Sequence, residues 1–236
     1  VKKYLLATAA VAAAIALPAV ASAQATGYID GSYTRIETPF GDGDGVTVGG
    51  GVLLTPDAPV QVQLNGAFTS AEDANAAAVA AHVFHRTETW AAGGFVGYTD
   101  AEGVDGILNY GVEGSWYFPA VTLSGSASKL DNDDLGLDAT VLAAGIKFFP
   151  TDNFSVGGSF GNVDIDGVGD FDVFGAEAEF KFNGPASVFA SYDTADDLDV
   201  DIWSIGLRWN FGQDSLKSRD RSGASMGSSS AARFLF

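Results

Sequence analysis

Two histidines, His82 and His85, are the only imidazoles in the chain, and cysteine is absent. Imidazole catalysis needs a nucleophile or carboxylate held on the same surface, whereas two residues three apart on an extended segment point to opposite sides. No G-x-S-x-G turn accompanies them, so no catalytic residue is assigned and an enzyme is not expected. Without cysteine, neither a disulfide nor a thiolate metal site is available. Clustered carboxylates are the other candidates. GDGDG at 41–45 and DIDGVGD at 164–170 offer the oxygen ligands that Ca²⁺ prefers, but neither has EF-hand spacing. They read as solvated acidic loops that keep sheet rims from sticking, and no metal or cofactor is expected.

The acids outnumber the bases 30 to 12, for a formal net charge of −18. Binding to phosphate backbones needs a basic face, so nucleic acid is excluded as a partner. Between Gln24 and Gly212 the bases are only Arg35, Arg86, Lys129, Lys147, Lys181 and Arg208.

The elements that must position these groups follow from hydropathy patterning. Lys2 and Lys3, the apolar run YLLATAAVAAAIALPAV and Ala21-Ser22-Ala23 make a charged region, a hydrophobic region and an A-x-A cleavage site. Residues 1–23 are therefore expected to be a signal peptide. After Gln24 no window is long enough for a transmembrane helix; segments of about ten residues with period-2 alternation recur instead. In VQVQLNGAFT, Val60, Val62, Leu64, Gly66 and Phe68 share one face and Gln61, Gln63, Asn65, Ala67 and Thr69 the other.

Twelve such segments are expected, near 26–37, 45–55, 60–71, 76–86, 90–100, 106–118, 121–130, 136–148, 153–164, 170–182, 186–195 and 200–212. The Ala-rich 76–86 and the small-residue 90–100 are the least clearly patterned, and ten or fourteen strands are the alternatives. An even count suits a single-chain bacterial barrel. The connections alternate between short Pro- or polar-marked turns (TPDAP, RTET, FPA, FPTDN, NGPA) and acidic Gly-rich loops (PFGDGDG, SAEDAN, DAEGVDG, DNDDLG, DIDGVGD, DTADDLDVD). Such alternation puts short turns and both termini at a periplasmic rim and longer acidic loops at the outer rim. Trp116, Phe118, Phe148, Phe149, Phe154, Phe180, Phe182, Trp209 and Phe211 flank the short turns, as an interfacial girdle would. The expected fold is an all-β, antiparallel up-and-down transmembrane barrel over 24–212, in the outer membrane of a Gram-negative cell.

The last strand, IWSIGLRWNF, resembles the C-terminal assembly signal of the porin-like outer-membrane β-barrel proteins of proteobacteria. The resemblance implies that Trp203, Ile205, Leu207, Trp209 and the terminal aromatic Phe211 are read by the outer-membrane assembly machinery. It also implies contact with outer-membrane lipid and lipopolysaccharide, and transport of small solutes. The chain departs from the family's plainest form by continuing through 213–236 to a second aromatic end, Phe234 and Phe236.

With the apolar alternation turned to lipid, Asp30, Gln61, Gln63, Asn65, Asn109, Glu113, Lys147, Glu177, Glu179, Lys181 and Arg208 become candidate pore-lining residues. Twelve tilted strands about 4.8 Å apart enclose a backbone diameter of about 24 Å, more than Ser and Gly side chains fill. The expectation is a water-filled porin-like channel for ions and small solutes, with acidic outer loops giving a weak cation preference. The alternatives are a lumen sealed by ion pairs of Glu177, Glu179 and Lys181 with Lys147 and Arg208, and a non-conducting structural or surface-interaction barrel. The Ser/Gly/basic tail, 213–236, is expected to be flexible in the periplasm; folding back as a partial plug, or touching peptidoglycan, are the alternative readings of its Lys217, Arg219, Arg221 and Arg233.

Overall fold

The computed structural model describes residues 25–71, 75–132 and 137–227; the expected signal peptide and residues 228–236 lie outside them. The described residues form twelve strands: β1 (Thr26–Thr38), β2 (Gly41–Leu53), β3 (Gln61–Ala71), β4 (Asn75–Arg86), β5 (Trp90–Ala101), β6 (Val104–Tyr117), β7 (Val121–Asn132), β8 (Leu137–Thr151), β9 (Phe154–Ile165), β10 (Gly169–Lys181), β11 (Ala186–Ala195) and β12 (Val200–Phe211). Each pairs antiparallel with its sequence neighbours. β1 closes the barrel on β12, in register from Gly27 opposite Phe211 to Glu37 opposite Asp201.

All twelve segments expected from alternation are strands. Alanine favours helix in isolation, yet the Ala-rich β4 is held extended by ladders to β3 on one side and β5 on the other. The faces follow the pattern. Val112, Leu207 and Trp209 are 62%, 66% and 58% exposed on the outside, while Gln63 and Ser187 are fully buried inside. A belt of exposed Val, Leu, Ile, Phe and Trp far exceeds the apolar patches of soluble monomers, and it is what a barrel facing hydrocarbon requires. Leu207→Arg is therefore expected to cost about 2–4 kcal/mol, measured by urea unfolding in lipid. A Ser126→Arg change on the inward face should cost far less.

Three expectations are corrected. The acidic connections are no longer than the others: they span two to four residues, against two to seven at the terminal rim where Thr26 and Phe211 lie. Alternation simply continues through the acids, so Asp42 and Asp44 are strand residues paired opposite Glu37 and Arg35, and the first hairpin turns on Pro39 and Phe40 alone. Phe149 does not join the aromatic girdle. It is 4% exposed and points inward, because adjacent strand residues face opposite ways and the register shifts between Phe148 and Thr151.

Nor is the lumen polar throughout. Near the acidic rim, inward Leu130, Val141, Val163, Val173 and Ala195 form a buried cluster, with Ile107, Ile165 and Phe171 packed against it. The interior of β6–β11 is apolar there and polar toward the terminal rim.

Candidate functional site in the barrel lumen

The expectation of a flexible tail is corrected over 213–227. Gly212, at φ +71 with Ala25 O 2.8 Å from where a Cβ would sit, turns the chain off β12 and under the terminal rim. A short helix α1 (Leu216–Ser222) follows, capped reciprocally by the Ser215 and Ser218 hydroxyls on each other's backbone N–H. Seven residues do not make a stable helix in water, so the wall must hold it. Composition read as disorder because the tail carries few apolar residues. Its anchors are instead three buried ones, Leu216, Ala224 and Met226, together with charges matched to the wall.

The first group of contacts lies on β10–β12 and β1. Glu179 accepts from Arg219 at 2.8 and 2.6 Å, from Arg208 at 2.8 Å and from the Ser187 hydroxyl at 2.6 Å. Arg208 also donates to Asp30 at 2.7 Å and lies over the Tyr28 and Phe189 rings. Arg219 donates to Asn210 Oδ1 at 2.6 Å. Lys181 donates to the Asp214 carbonyl at 2.8 Å, so it holds the entry of the tail and not a wall carboxylate. A buried cation is tolerable only when paired and hydrogen-bonded, and here each guanidinium has two or more acceptors.

The second group lies on β3, β4 and β6. His82 Nδ1 meets Glu113 Oε1 at 2.6 Å, its Nε2 is 3.3 Å from Asn65, and its ring stacks on Phe95. Gln63 pairs with the Met226 backbone in both directions, and Glu113 Oε2 accepts from Gly227 N at 3.0 Å. Arg86 donates to the Gly223 carbonyl and to Ser225 Oγ. Ala224 and Met226 pack into a pocket of Leu53, Phe84, Ala91 and Tyr117.

On the third side, Thr122 donates to Asp220 at 2.6 Å, Lys147 pairs with Glu177 at 2.9 Å and Arg221 donates to the Phe118 carbonyl. Between α1 and this wall lies a cavity of about 40 Å³ touched by Thr122, Ser124, Lys147, Glu177, Asp220 and Ser225. That volume admits one or two waters.

The structure thus brings Asp30, Glu179, Lys181 and Arg208 into one cluster, Gln63, Asn65 and Glu113 into a second, and Lys147 with Glu177 into a third. Gln61 is buried near the terminal rim, its amide donating to the Pro56 carbonyl at 2.6 Å. Asn109 faces inward, 5% exposed, apart from these clusters. His85 lies on the outer face against Trp90 and the Pro59 carbonyl. The carboxylates of Asp42 and Asp44 turn to Arg35 on the outside. Alternation set Thr122 and Asn210 on the polar face without marking them as site residues, and sequence reasoning missed Arg86, Tyr28 and the role of His82 among the groups that touch the tail or its partners. Alternation already put His82, Phe84 and Arg86 on one face; the signal was blurred by the surrounding alanines.

A family model described as "Outer membrane protein beta-barrel domain" matches residues 6–211. A comparison with curated protein sequences finds no match. Among solved structures the chain is similar to the KdgM porin (TM-score 0.62, 10% identity, covering 78% of this chain and 99% of that one). It is similar also to the NanC porin (TM-score 0.64, 8% identity, 77% and 98% covered). An outer membrane channel from Pseudomonas putida F1 aligns at TM-score 0.55 and 11% identity, with 81% and 97% covered. At such identities these likenesses speak for the fold. The family match spans every strand, and with the closed barrel and its apolar exterior it identifies the chain as a member of the outer membrane protein β-barrel domain family, resident in the outer membrane.

Proposed function

We propose that this barrel is a narrow porin-like channel for water, ions and small solutes, with a weak cation preference, narrowed at its terminal rim by residues 213–227. The observation that carries the reading is the wall left uncovered by bulky groups. Small polar side chains line the interior along β1–β3 and β7: Thr34 bonds Ser204, Thr47 bonds Thr69, and Ser124, Ser126 and Ser128 remain partly accessible to water inside the barrel. Uncovered hydroxyls in a lumen must be wet. The terminal rim faces the periplasm in this reading, and the acidic rim faces outward.

Acids dominate that outer rim, including Asp196, Asp197, Asp199 and Asp201 around the β11–β12 connection. Their field enriches cations at the mouth. In a potassium chloride gradient across a planar bilayer, the reversal potential should favour potassium at low salt and approach zero at about 1 M, where screening acts within ~3 Å. An anion-favouring potential would sink the preference. No current steps from well-folded protein would sink the channel.

A second reading, a non-conducting structural barrel, is favoured by the apolar cluster at one end of the lumen and the tail at the other. The same bilayer experiment decides between them.

A further inference from the structure

The wall residues that hold the end of the tail address its backbone more than its side chains. Gln63 donates through Nε2 to the Met226 carbonyl at 2.9 Å and accepts from the Met226 N–H at 3.2 Å. Asn65 adds a second donor to that carbonyl at 3.3 Å, and Glu113 accepts the next N–H, of Gly227, at 3.0 Å. Arg86 reaches the Gly223 carbonyl at 2.9 Å, and only its other nitrogen touches a side chain, Ser225, at 3.0 Å. A primary amide that pairs with both N–H and C=O of one residue reproduces half of a strand ladder. This is how extended peptides are bound by sheet edges: main-chain bonds supply affinity and flanking pockets supply selectivity.

The flanking features are present. Ala224 and Met226 are 2% and 4% exposed in the pocket of Leu53, Phe84, Ala91 and Tyr117. Gly227 has φ +74, and a Cβ there would stand 2.7 Å from His82 Cε1. That imidazole cannot retreat freely, because Glu113 holds it at 2.6 Å and Phe95 stacks on it. The wall therefore demands glycine next to a buried unbranched side chain. None of this requires the tail to be covalently attached at Gly212.

We propose that the β3–β4–β6 wall is a receptor for an extended peptide backbone, filled here by the chain's own Gly223–Gly227 segment and able to exchange that segment for one supplied in trans. The proposal rests on the reading of residues 213–227 as the narrowing element, and not on conduction itself. The tether explains why few anchors suffice. A short linker raises the local concentration of its ligand to the order of millimolar, so a segment of modest intrinsic affinity stays seated in cis and exchanges when cut free.

The test uses the full chain with a protease site inserted between Gly212 and Gln213, folded in detergent and then cut. A fluorescein-labelled peptide spanning 213–236 is added and its anisotropy followed, with unlabelled peptides as competitors. Saturable exchange is expected. The Lys217→Ala peptide should compete within about twofold of the unaltered one, because that lysine pairs with an Asp152 carboxylate that is 71% exposed. The Gly227→Val peptide should compete roughly tenfold or more weakly, through strain at positive φ and the clash with His82. The substitution sits in the peptide, so it cannot unfold the barrel. Failure to exchange, or a Gly227→Val peptide as effective as the unaltered one, would overturn the proposal and reduce the contact to attraction of a basic segment for an acidic lumen. A silent bilayer would overturn the channel reading and leave this binding result standing.

Discussion

Replacing Glu179 with alanine is expected to lower barrel stability by about 3–5 kcal/mol, the range for removing one partner of a buried ion pair. Glu179 is 8% exposed and is the common acceptor of Arg208, Arg219 and Ser187. Its loss leaves Arg219 with the neutral Asn210 amide and Arg208 with Asp30 alone. The tail should then leave its seat, since the two bonds from Arg219 to Glu179 are its strongest tie to β10. Arg219→Ala should cost less, because Glu179 keeps Arg208 and Ser187. Lys217→Ala should cost under about 1 kcal/mol, since its partner is solvent-exposed. Urea titration followed by the emission of Trp90, Trp116, Trp203 and Trp209, all in the wall, measures the three. Equal losses for Glu179→Ala and Lys217→Ala would contradict the assignment.

The wall was legible because two opposite demands act on alternate residues. Trp203, Ile205, Leu207 and Trp209 must meet lipid while Ser204, Gly206, Arg208 and Asn210 must not, and a period of two follows from the pleat. Twelve segments and their facing were readable for that reason, even in β4, where propensity pointed elsewhere. Loop length was not readable, because acids at 42, 44, 170 and 172 are compatible with turn or strand, and only register decides.

The lumen was legible as a set of inward polar groups and illegible as a set of pairs. Pairing depends on which strands lie across a closed barrel and on the tail, neither of which alternation encodes. Lys181 shows this well: its position on the inward face groups it with Glu177 and Glu179, yet it serves the Asp214 carbonyl. The tail itself resisted reading because its order comes from Glu179, Gln63, Arg86 and Glu113, residues far away in sequence. A Ser-rich, basic stretch has no local reason to fold. The hint was compositional, in that bases scarce in the barrel reappear in the segment that neutralises its acids.

Removing residues 213–236 is the second change with a large expected effect. The barrel should survive it, because closure runs through the β1–β12 register and does not involve the tail. What is lost is the helix and the Gly223–Gly227 segment that span the terminal rim from the Glu179 cluster to the Gln63 wall. Selectivity and flow in a narrow pore are set by its tightest cross-section, so in the channel proposed above clearing that rim would act on the whole path. At the far end the apolar cluster of Leu130, Val141, Val163 and Val173 lies on the β7–β10 side of the interior, while the Thr34–Ser204 and Thr47–Thr69 hydroxyl pairs lie on β12 and β1–β3.

Single-channel conductance of the full chain and of the chain ending at Gly212, both folded from detergent into the same planar bilayer, decides whether residues 213–227 narrow a conducting lumen. Small or intermittent current is expected from the full chain, and a steady conductance roughly tenfold larger from the shortened one. Equal conductances, or silence from both while each shows the folded-barrel shift on an unheated gel, would contradict it.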